Sequence, residues 1–434
     1  MHRRTAIYRC LALGLFAIAL KSSPPPARAE TLDDAWNIAL AADERLQASQ
    51  LEAESARWEY SAARSLAMPK VNNATGYNWL STTPSFRTAI PGLGDLSMPF
   101  LQDQFAVSST MVAMPLYTGG KIRHTVSAAA SQVAAAEKEQ VRTRLDVKLE
   151  VAAAYVTVLR ARRAVEVAQA NVTSLQTHVQ AVGSMLQQGL VANSDLLAVE
   201  VALADARQKT LQARNGVDIA GAAYNRLLRR PLDASVDLEE AQVYPSHQGL
   251  DHLSAQALDM RPELSQLSAQ INALRCQAES IRATNRPQLG VVGGYTYLEN
   301  EHIAPEGYGS VSFAVDWMPY DGGMARSRCN ALLQKANAVS RLRANAVTLI
   351  QLEVRKAWLD EQEARSRIDV TGKAIQQSEE NLRVAHTRYK NGQGTNTEVL
   401  DAETLRTVSY NNYHNAVYDA VLSTFKLQRA VGSL

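Results

Sequence analysis

The stretch YKNGQGTNTEVLD, residues 389–401, ends one very long helical pattern at its glycines and starts another. An earlier stretch, QQGLVANSDLLAVE (187–200), lines up with it without a gap at an offset of 203 residues: Gly189 falls on Gly392, Asn193 on Asn396, Asp195 on Glu398, Leu197 on Leu400 and Glu200 on Glu403. A second landmark keeps the same offset. PLYTGGK sets Tyr117, Gly119 and Gly120 against Tyr320, Gly322 and Gly323 of MPYDGGM. Each Gly-Gly corner therefore stands at one fixed distance from its Gly turn, and the chain reads as an internal duplication.

The intervals between landmarks read as helix. From Lys121 to Gln188 there is no proline and one glycine, Gly183, and Leu145, Leu149, Ala152, Val156 and Leu159 recur at alternating steps of four and three. A helix of that length spans about 100 Å. A second runs from Ser194, a suitable N-cap, to about Leu228, where Arg230-Pro231 closes it. Gly322-Gly323 opens a further long helix to Asn391, and a last helix runs from about Thr395 to the C-terminus.

Outward from these, residues 31 to about 66 read as one helix ended by Pro69. VNNATGYNWL and FAVSSTMVAMPLY then read as extended stretches joined by a Pro- and Gly-rich loop containing Pro84, Pro91, Gly92, Gly94 and Pro99. The cycle restarts after a polar linker, 231–255: Arg261-Pro-Glu-Leu264 matches Asp43-Glu-Arg-Leu46, Pro287 matches Pro69, and Gly294-Tyr295 matches Gly76-Tyr77, all 218 residues apart. Since the Gly-Gly corners are only 203 apart, the first hairpin carries 15 extra residues. The expected organisation is an export signal over 1–29, a first repeat over 30–230, the linker over 231–255 and a second repeat over 256–434.

In the second hairpin Leu289, Val291, Tyr295 and Tyr297 alternate with Gln288, Gly290, Gly294 and Thr296, and Val311, Phe313, Val315 and Trp317 with Ser310, Ser312, Ala314 and Asp316. One face is apolar with aromatic tips, the other small and polar. This pattern fits an outer-membrane barrel wall, and equally a half-buried hairpin of a soluble domain.

Composition narrows the function. Lys plus Arg (45) nearly balance Asp plus Glu (43) and aromatics are 6%, so no nucleic-acid partner is expected. Arg3, Arg4 and Arg9 precede the apolar run Cys10–Leu20 and then SSPPPARA, whose Ala27 and Ala29 form an A-x-A cleavage pattern. Thr-Ala-Ile after the arginine pair fits twin-arginine export poorly, and Cys10 lacks the residues a lipid-attachment site needs. Beyond the signal no run approaches the ~18 apolar residues of a membrane helix, so any membrane crossing is by strands. Cys276 and Cys329 form no metal pattern and read either as two free thiols or as a pair joined in an oxidising compartment. The histidines, among them His124, His178, His247, His252, His302, His386 and His414, have no ligand spacing and read as helix-surface or loop residues; neither Gly-Gly makes a phosphate loop. No catalytic residue, metal site or cofactor is expected. Four strands cannot close a membrane barrel, whose smallest members have about 8, and open edges in lipid leave backbone groups unsatisfied, so several chains must share one barrel.

In this order of parts, in P-L-Y-x-G-G and M-P-Y-D-G-G, and in R-Y-K-N-G-x-G-T-N-T-E-V-L-D-A, the mature chain resembles the outer membrane efflux protein family, the TolC-like channels. The resemblance implies a mainly α protein with membrane β: a homotrimer sharing a twelve-stranded β-barrel in the outer membrane above a twelve-helix α-barrel in the periplasm. It also implies partners, namely a periplasmic adaptor and an inner-membrane pump of RND or ABC type, in multidrug efflux or type I secretion. By family alignment Glu398 and Asp401 line the periplasmic constriction, which their i, i+3 spacing on one helix face permits, although carboxylates in a first helical turn are also favoured by the helix dipole alone. Asp195 and Tyr389 align with the tip latch. Gly189, Leu190, Val191, Gly392 and Gln393 fall at the tip turns and adaptor contact, and Gly119, Gly120, Gly322 and Gly323 at the strand–helix corners. The arginine that could partner this latch is expected to be missing, because Gly394 stands at its place. The competing reading is a periplasmic coiled-coil adaptor or structural spacer without a pore.

Overall fold

The computed structural model describes residues 29–92, 94–242 and 248–434; the export signal expected over 1–29 and His247 lie, but for Ala29, outside them. The order is α1 (Leu32–Ala42), α2 (Glu44–Ser65), β1 (Lys70–Trp79), β2 (Ser85–Ile90), β3 (Gly94–Pro99), β4 (Gln104–Tyr117), α3 (Lys121–Gln187) and α4 (Asn193–Leu227). It continues as α5 (Leu250–Met260), α6 (Pro262–Arg282), β5 (Gln288–Leu298), β6 (Gly307–Asp316), α7 (Met324–Lys390) and α8 (Asn396–Val431).

α3 and α7 are each 67 residues, about 100 Å of unbroken helix at 1.5 Å per residue. Both begin at a Gly-Gly corner whose glycines have positive φ: Gly119 +61° and Gly120 +94°, Gly322 +72° and Gly323 +85°. At the second corner the Asp321 carboxylate accepts from the Gly323 and Ala325 amides at 3.0 and 2.7 Å and starts α7. Gly119 has a further reason to be glycine, since a Cβ there would stand 2.5 Å from Arg286 Cβ.

Three expectations are corrected. The helix expected over 31–66 is two helices, because Asp43 leaves helical geometry (ψ 119°) and its carboxylate caps α2 through the Arg45 and Leu46 amides at 2.8 and 3.1 Å. Arg261 makes the same break before α6 (φ −64°, ψ 119°), with Pro262 at the first helical position. The Pro- and Gly-rich loop of the first hairpin folds into a ribbon of its own, β2 antiparallel to β3: Phe86, Thr88, Met98 and Leu96 share one face, and the turn forms where Gly92 and Gly94 take positive φ. Ser194 does not cap α4; the cap is Ala192, without a side-chain hydrogen bond. Within the span 231–255, α5 starts at Leu250 with Gly249 as its N-cap.

The two hairpins join into one antiparallel sheet, order β1-β4-β5-β6, sewn at the centre by β4 and β5. The register places Val315 opposite Leu289 and Phe313 opposite Val291, and Val71 opposite Val112 in turn opposite Gly293. One apolar face therefore runs across all four strands, with Val71, Tyr77, Trp79, Tyr295, Val311, Phe313 and Val315 all more than half exposed. At its middle Asn73, Thr75, Ser108 and Thr110 hydrogen-bond across the β1–β4 ladder at 2.8 and 2.9 Å, so these polar groups satisfy one another. β1 and β6 each keep one unpaired edge in the protomer.

The largest core lies midway along α3, where Val147, Val151, Tyr155, Val158 and Leu159 pack against α1, α4 and α8 through Ala35, Ala39, Tyr224, Tyr418 and Val421. The Tyr155 hydroxyl lies within hydrogen-bonding distance of the Glu30 and Glu239 carbonyls (2.8 and 2.6 Å), and Arg230 pairs with Glu30 at 2.7 Å, which ties the start of the described chain to the linker. Beside it, buried Arg429 of α8 reaches Asp146 of α3 (2.7 Å) and Glu263 of α6 (3.0 Å). Cys329 is buried, Cys276 half-buried, and both thiols are free. Among the described residues no helix is long and apolar enough to cross a membrane.

Candidate functional site at the helix turns

Far from the sheet, α3 and α7 both stop by the same device. Gly189 (φ +70°) donates to the Leu186 carbonyl and Leu190 to that of Met185, each at 2.9 Å; Gly392 (φ +70°) donates to Tyr389 at 3.0 Å and Gln393 to Arg388 at 2.8 Å. This is the Schellman pattern, which needs a left-handed residue after the helix and so explains both glycines. Space does not require them, since a Cβ at either would meet nothing within 4 Å. Leu190, at 65% exposed, and Gln393 stand out into solvent, while Val191 turns back onto a cluster of Val182, Val199, Leu382, Ala385, Tyr389, Val399 and Ala402 that binds the two helix pairs together.

The restart after the second turn is the better built. Thr395 caps α8, accepting from the Glu398 amide at 3.3 Å. Glu398 then reaches back over the turn to Arg388, 3.3 Å away, and Arg388 also donates to the Gln393 carbonyl at 3.1 Å. Among the described residues Arg388 pairs with Glu398, and not with Asp195 or Tyr389 of the expected latch. Gly394 lies close under the pair: a Cβ there would stand 3.1 Å from Arg388 Cβ and 3.2 Å from Glu398 Oε2. Asp401 follows one turn on, exposed, and among the described residues no cation pairs with it.

Tyr389 and Asp195 come near each other without bonding. Tyr389 is 6% exposed and its hydroxyl has no hydrogen-bond partner within the protomer. Burial, helped by the Asp195 charge, pushes its phenol pKa up. Asp195 acts through its backbone: its carbonyl accepts from the Asn396 side-chain amide at 3.0 Å.

One histidine read as a surface residue is not. His178 of α3 is 2% exposed, with Nε2 2.8 Å from Asn396 Oδ1 and its ring edge-on to those of His386 and Tyr389, 5.2 and 5.6 Å away between centroids. Behind it Glu403, 2% exposed, accepts from Ser174 of α3 and lies 3.1 Å from Arg406 and 3.7 Å from His386. Burial pushes the Glu403 carboxyl up, but the hydrogen bonds from His386 and Ser174 and the Arg406 charge outweigh it and hold the group below the usual carboxylate range. The spacing His178 to Ser174, and Glu403 to Arg406, puts each pair on one helix face, which is a signal available in the sequence. That the two faces meet is not. Among the described residues no group of His, Cys, Asp and Glu could hold a metal ion.

The family model described as outer membrane efflux protein matches residues 35–228 and 253–433. The chain is 23% identical over 425 residues to the outer membrane protein TolC of Vibrio cholerae, covering 94% of this chain and 91% of that one. It is 22% identical over 326 residues to the outer membrane efflux protein BepC of Brucella suis, with 74% of this chain and 70% of the other covered. Among solved structures, the outer membrane protein VceC of Vibrio cholerae superposes with a TM-score of 0.80 at 19% identity, over 92% of this chain and 96% of that chain.

Proposed function

This chain belongs to the outer membrane efflux protein family, and on that premise we propose that its two helix turns form the closable periplasmic end of a trimeric duct. The protein is an outer-membrane efflux channel with a periplasmic tunnel, a passive conduit and not an enzyme; channels of this family form trimers and work with adaptors and inner-membrane pumps. Membership in this family sets aside the reading as a spacer without a pore.

The observation that carries the proposal is the pair of matched turns at the far ends of two 67-residue helices whose other ends open from a sheet with two unpaired edges. Three copies pair β6 of one protomer with β1 of the next and remove every edge, as lipid demands. The same operation brings three α7–α8 turns around one axis. Residues 30–230 and 256–434 act as two repeats joined by 231–255, and 1–29 is removed on export. Glu398 and Asp401 line the constriction and favour cations there. Leu190, Val191 and Gln393 meet the adaptor, and the cargo is set by the pump, of RND or ABC type.

The test is reconstitution in a planar bilayer after purification in detergent. A heat-sensitive oligomer that conducts ions supports the duct, and a detergent-free monomer without conductance overturns it. Replacing Glu398 and Asp401 by Ala should lower cation selectivity; unchanged selectivity removes both from the constriction.

A further inference from the structure

We propose that His178, Asn396 and Glu403 are the positioning residues that hold the tip shut, and that a proton taken up by His178 releases it. The proposal rests on reading the turns as the gate.

Asn396 stands at the junction of three helices. Its amide nitrogen donates to the Asp195 carbonyl of α4 at 3.0 Å, which leaves its oxygen for His178 of α3 at 2.8 Å. His178 must therefore carry its hydrogen on Nε2, as the neutral imidazole can. One side chain of α8 thus ties down both α3 and α4. Two turns deeper, Glu403 of α8 repeats the connection to α3 through Ser174. These bonds cross between the helix pair α3–α4 and the pair α7–α8, which any opening at the second turn must separate.

The groups facing His178 decide what a proton does there. From α7 it meets His386 and Tyr389; from α8, Asn396 and Glu403, with Arg406 beyond; from α4, the Asp195 region; on α3 itself, Ser174 one turn back. Glu403 and Arg406 cancel, so a proton on His178 adds a net charge to an enclosed site. Burial, the largest influence, holds His178 below its ordinary value, and His386 acts in the same direction, while Asn396 and Glu403 oppose them. Parting α8 from α3 returns the ring to water and to a pKa near 6.5. The closed tip then binds fewer protons than the released one. Its stability is whole above about pH 6.5 and declines as pH falls toward the lowered pKa of the latched ring.

Bilayer recordings of the trimer from about pH 7.5 down to about pH 5, above the ordinary carboxylate range, read this directly. Conductance should rise as pH falls, each pKa unit between the latched and released ring weighting the open state about tenfold per protomer. His178→Gln keeps a neutral donor for Asn396 and should remove the response in that window while leaving cation selectivity unchanged. A wild-type channel indifferent to pH, or a His178→Gln channel that responds as the wild type does, overturns the proposal. If His178→Gln does not assemble, hydrogen exchange of the wild type decides: amides of 385–400 should lose protection on acidification, corrected for intrinsic exchange, and those of 118–125 should not. Equal loss in both overturns it. A channel that conducts selectively but ignores pH refutes this latch and leaves the gate standing; a chain that never conducts refutes the duct.

Discussion

Arg388 changes what the acidic tip should do to ions. In the protomer its guanidinium lies 3.3 Å from Glu398, whereas Asp401 is exposed and without a cation among the described residues. If all three face the axis, the Arg388–Glu398 pairs of a trimer sum to nothing and only Asp401 counts, a ring charge of about −3. Arg388→Ala exposes the Glu398 charges and takes the ring to about −6, while Glu398→Ala and Asp401→Ala each take it to about 0. In dilute salt, where the screening length is ~30 Å, a cation ~8 Å from one charge in water gains about 0.5 kcal/mol. Three added charges then amount to roughly 1.5 kcal/mol, about tenfold in the preference for cations over neutral cargo. Reversal potentials across a KCl gradient should rank Arg388→Ala above wild type, and wild type above Glu398→Ala and Asp401→Ala together. The double variant Glu398→Ala with Asp401→Ala, which leaves three bare guanidinium groups, should favour anions. If Arg388→Ala is no more cation-selective than wild type, the pair does not reach the permeation path.

Other expectations are simpler. Tyr389→Phe removes a buried hydroxyl that has no partner in the protomer, so the heat stability of the trimer and its closed conductance should hold or rise slightly; a marked gain in conductance would mean the hydroxyl bonds across the tip. Gly119→Ala should abolish trimer assembly, because the new Cβ meets Arg286 Cβ at 2.5 Å in a left-handed backbone. Gly322→Ala, in open space, should cost only the conformational strain, about 1–2 kcal/mol, so equal assembly yields for the two variants would refute the clash. Phe313→Arg on the apolar face should destabilise the barrel by ~2–4 kcal/mol if that residue lies near the bilayer midplane, read as a lowered temperature of trimer dissociation, whereas Ser312→Arg on the opposite face should not.

What could be read from the sequence was whatever depends on local periodicity and on the duplication. The four longest helices, both Gly-Gly corners, both Gly turns and the facing of β5 and β6 follow from spacing alone, because each is fixed by neighbours a few residues away. Asp43 defeated the reading of α1–α2 since its neighbours all favour helix; only its own side chain, capping Arg45 and Leu46, ends one helix and starts the next. The β2–β3 ribbon escaped because its prolines and glycines outweigh the alternation of Phe86, Thr88, Leu96 and Met98. His178 and Glu403 lay beyond reach for another reason. They are 225 residues apart by number and belong to different repeats, and nothing local to either foretells that α8 lies against α3.

The duplication itself concealed the asymmetry that matters most. Asn193 and Asn396 occupy matched positions, as do Glu200 and Glu403, yet the first of each pair is exposed in the protomer and the second buried. The cap differs in the same sense: Ala192 offers α4 no side-chain bond, while the matched Thr395 caps α8. The residue types persisted and their surroundings diverged. Asn193 and Glu200 already face water, so moving α4 breaks no buried hydrogen bond of these two side chains. Where Asn396 and Glu403 are enclosed, parting α8 from α3 exchanges each buried bond for water, at a net cost of about 1 kcal/mol for a neutral pair and about 1.5–3 for one to a charged group. Summed over a few bonds and three chains, that is enough to hold a tip closed and small enough for a partner to overcome. If the turns gate the duct, substitutions matched across the duplication should be silent at Asn193 and Glu200 but raise conductance at Asn396 and Glu403, whose bonds reach His178, Ser174 and Asp195.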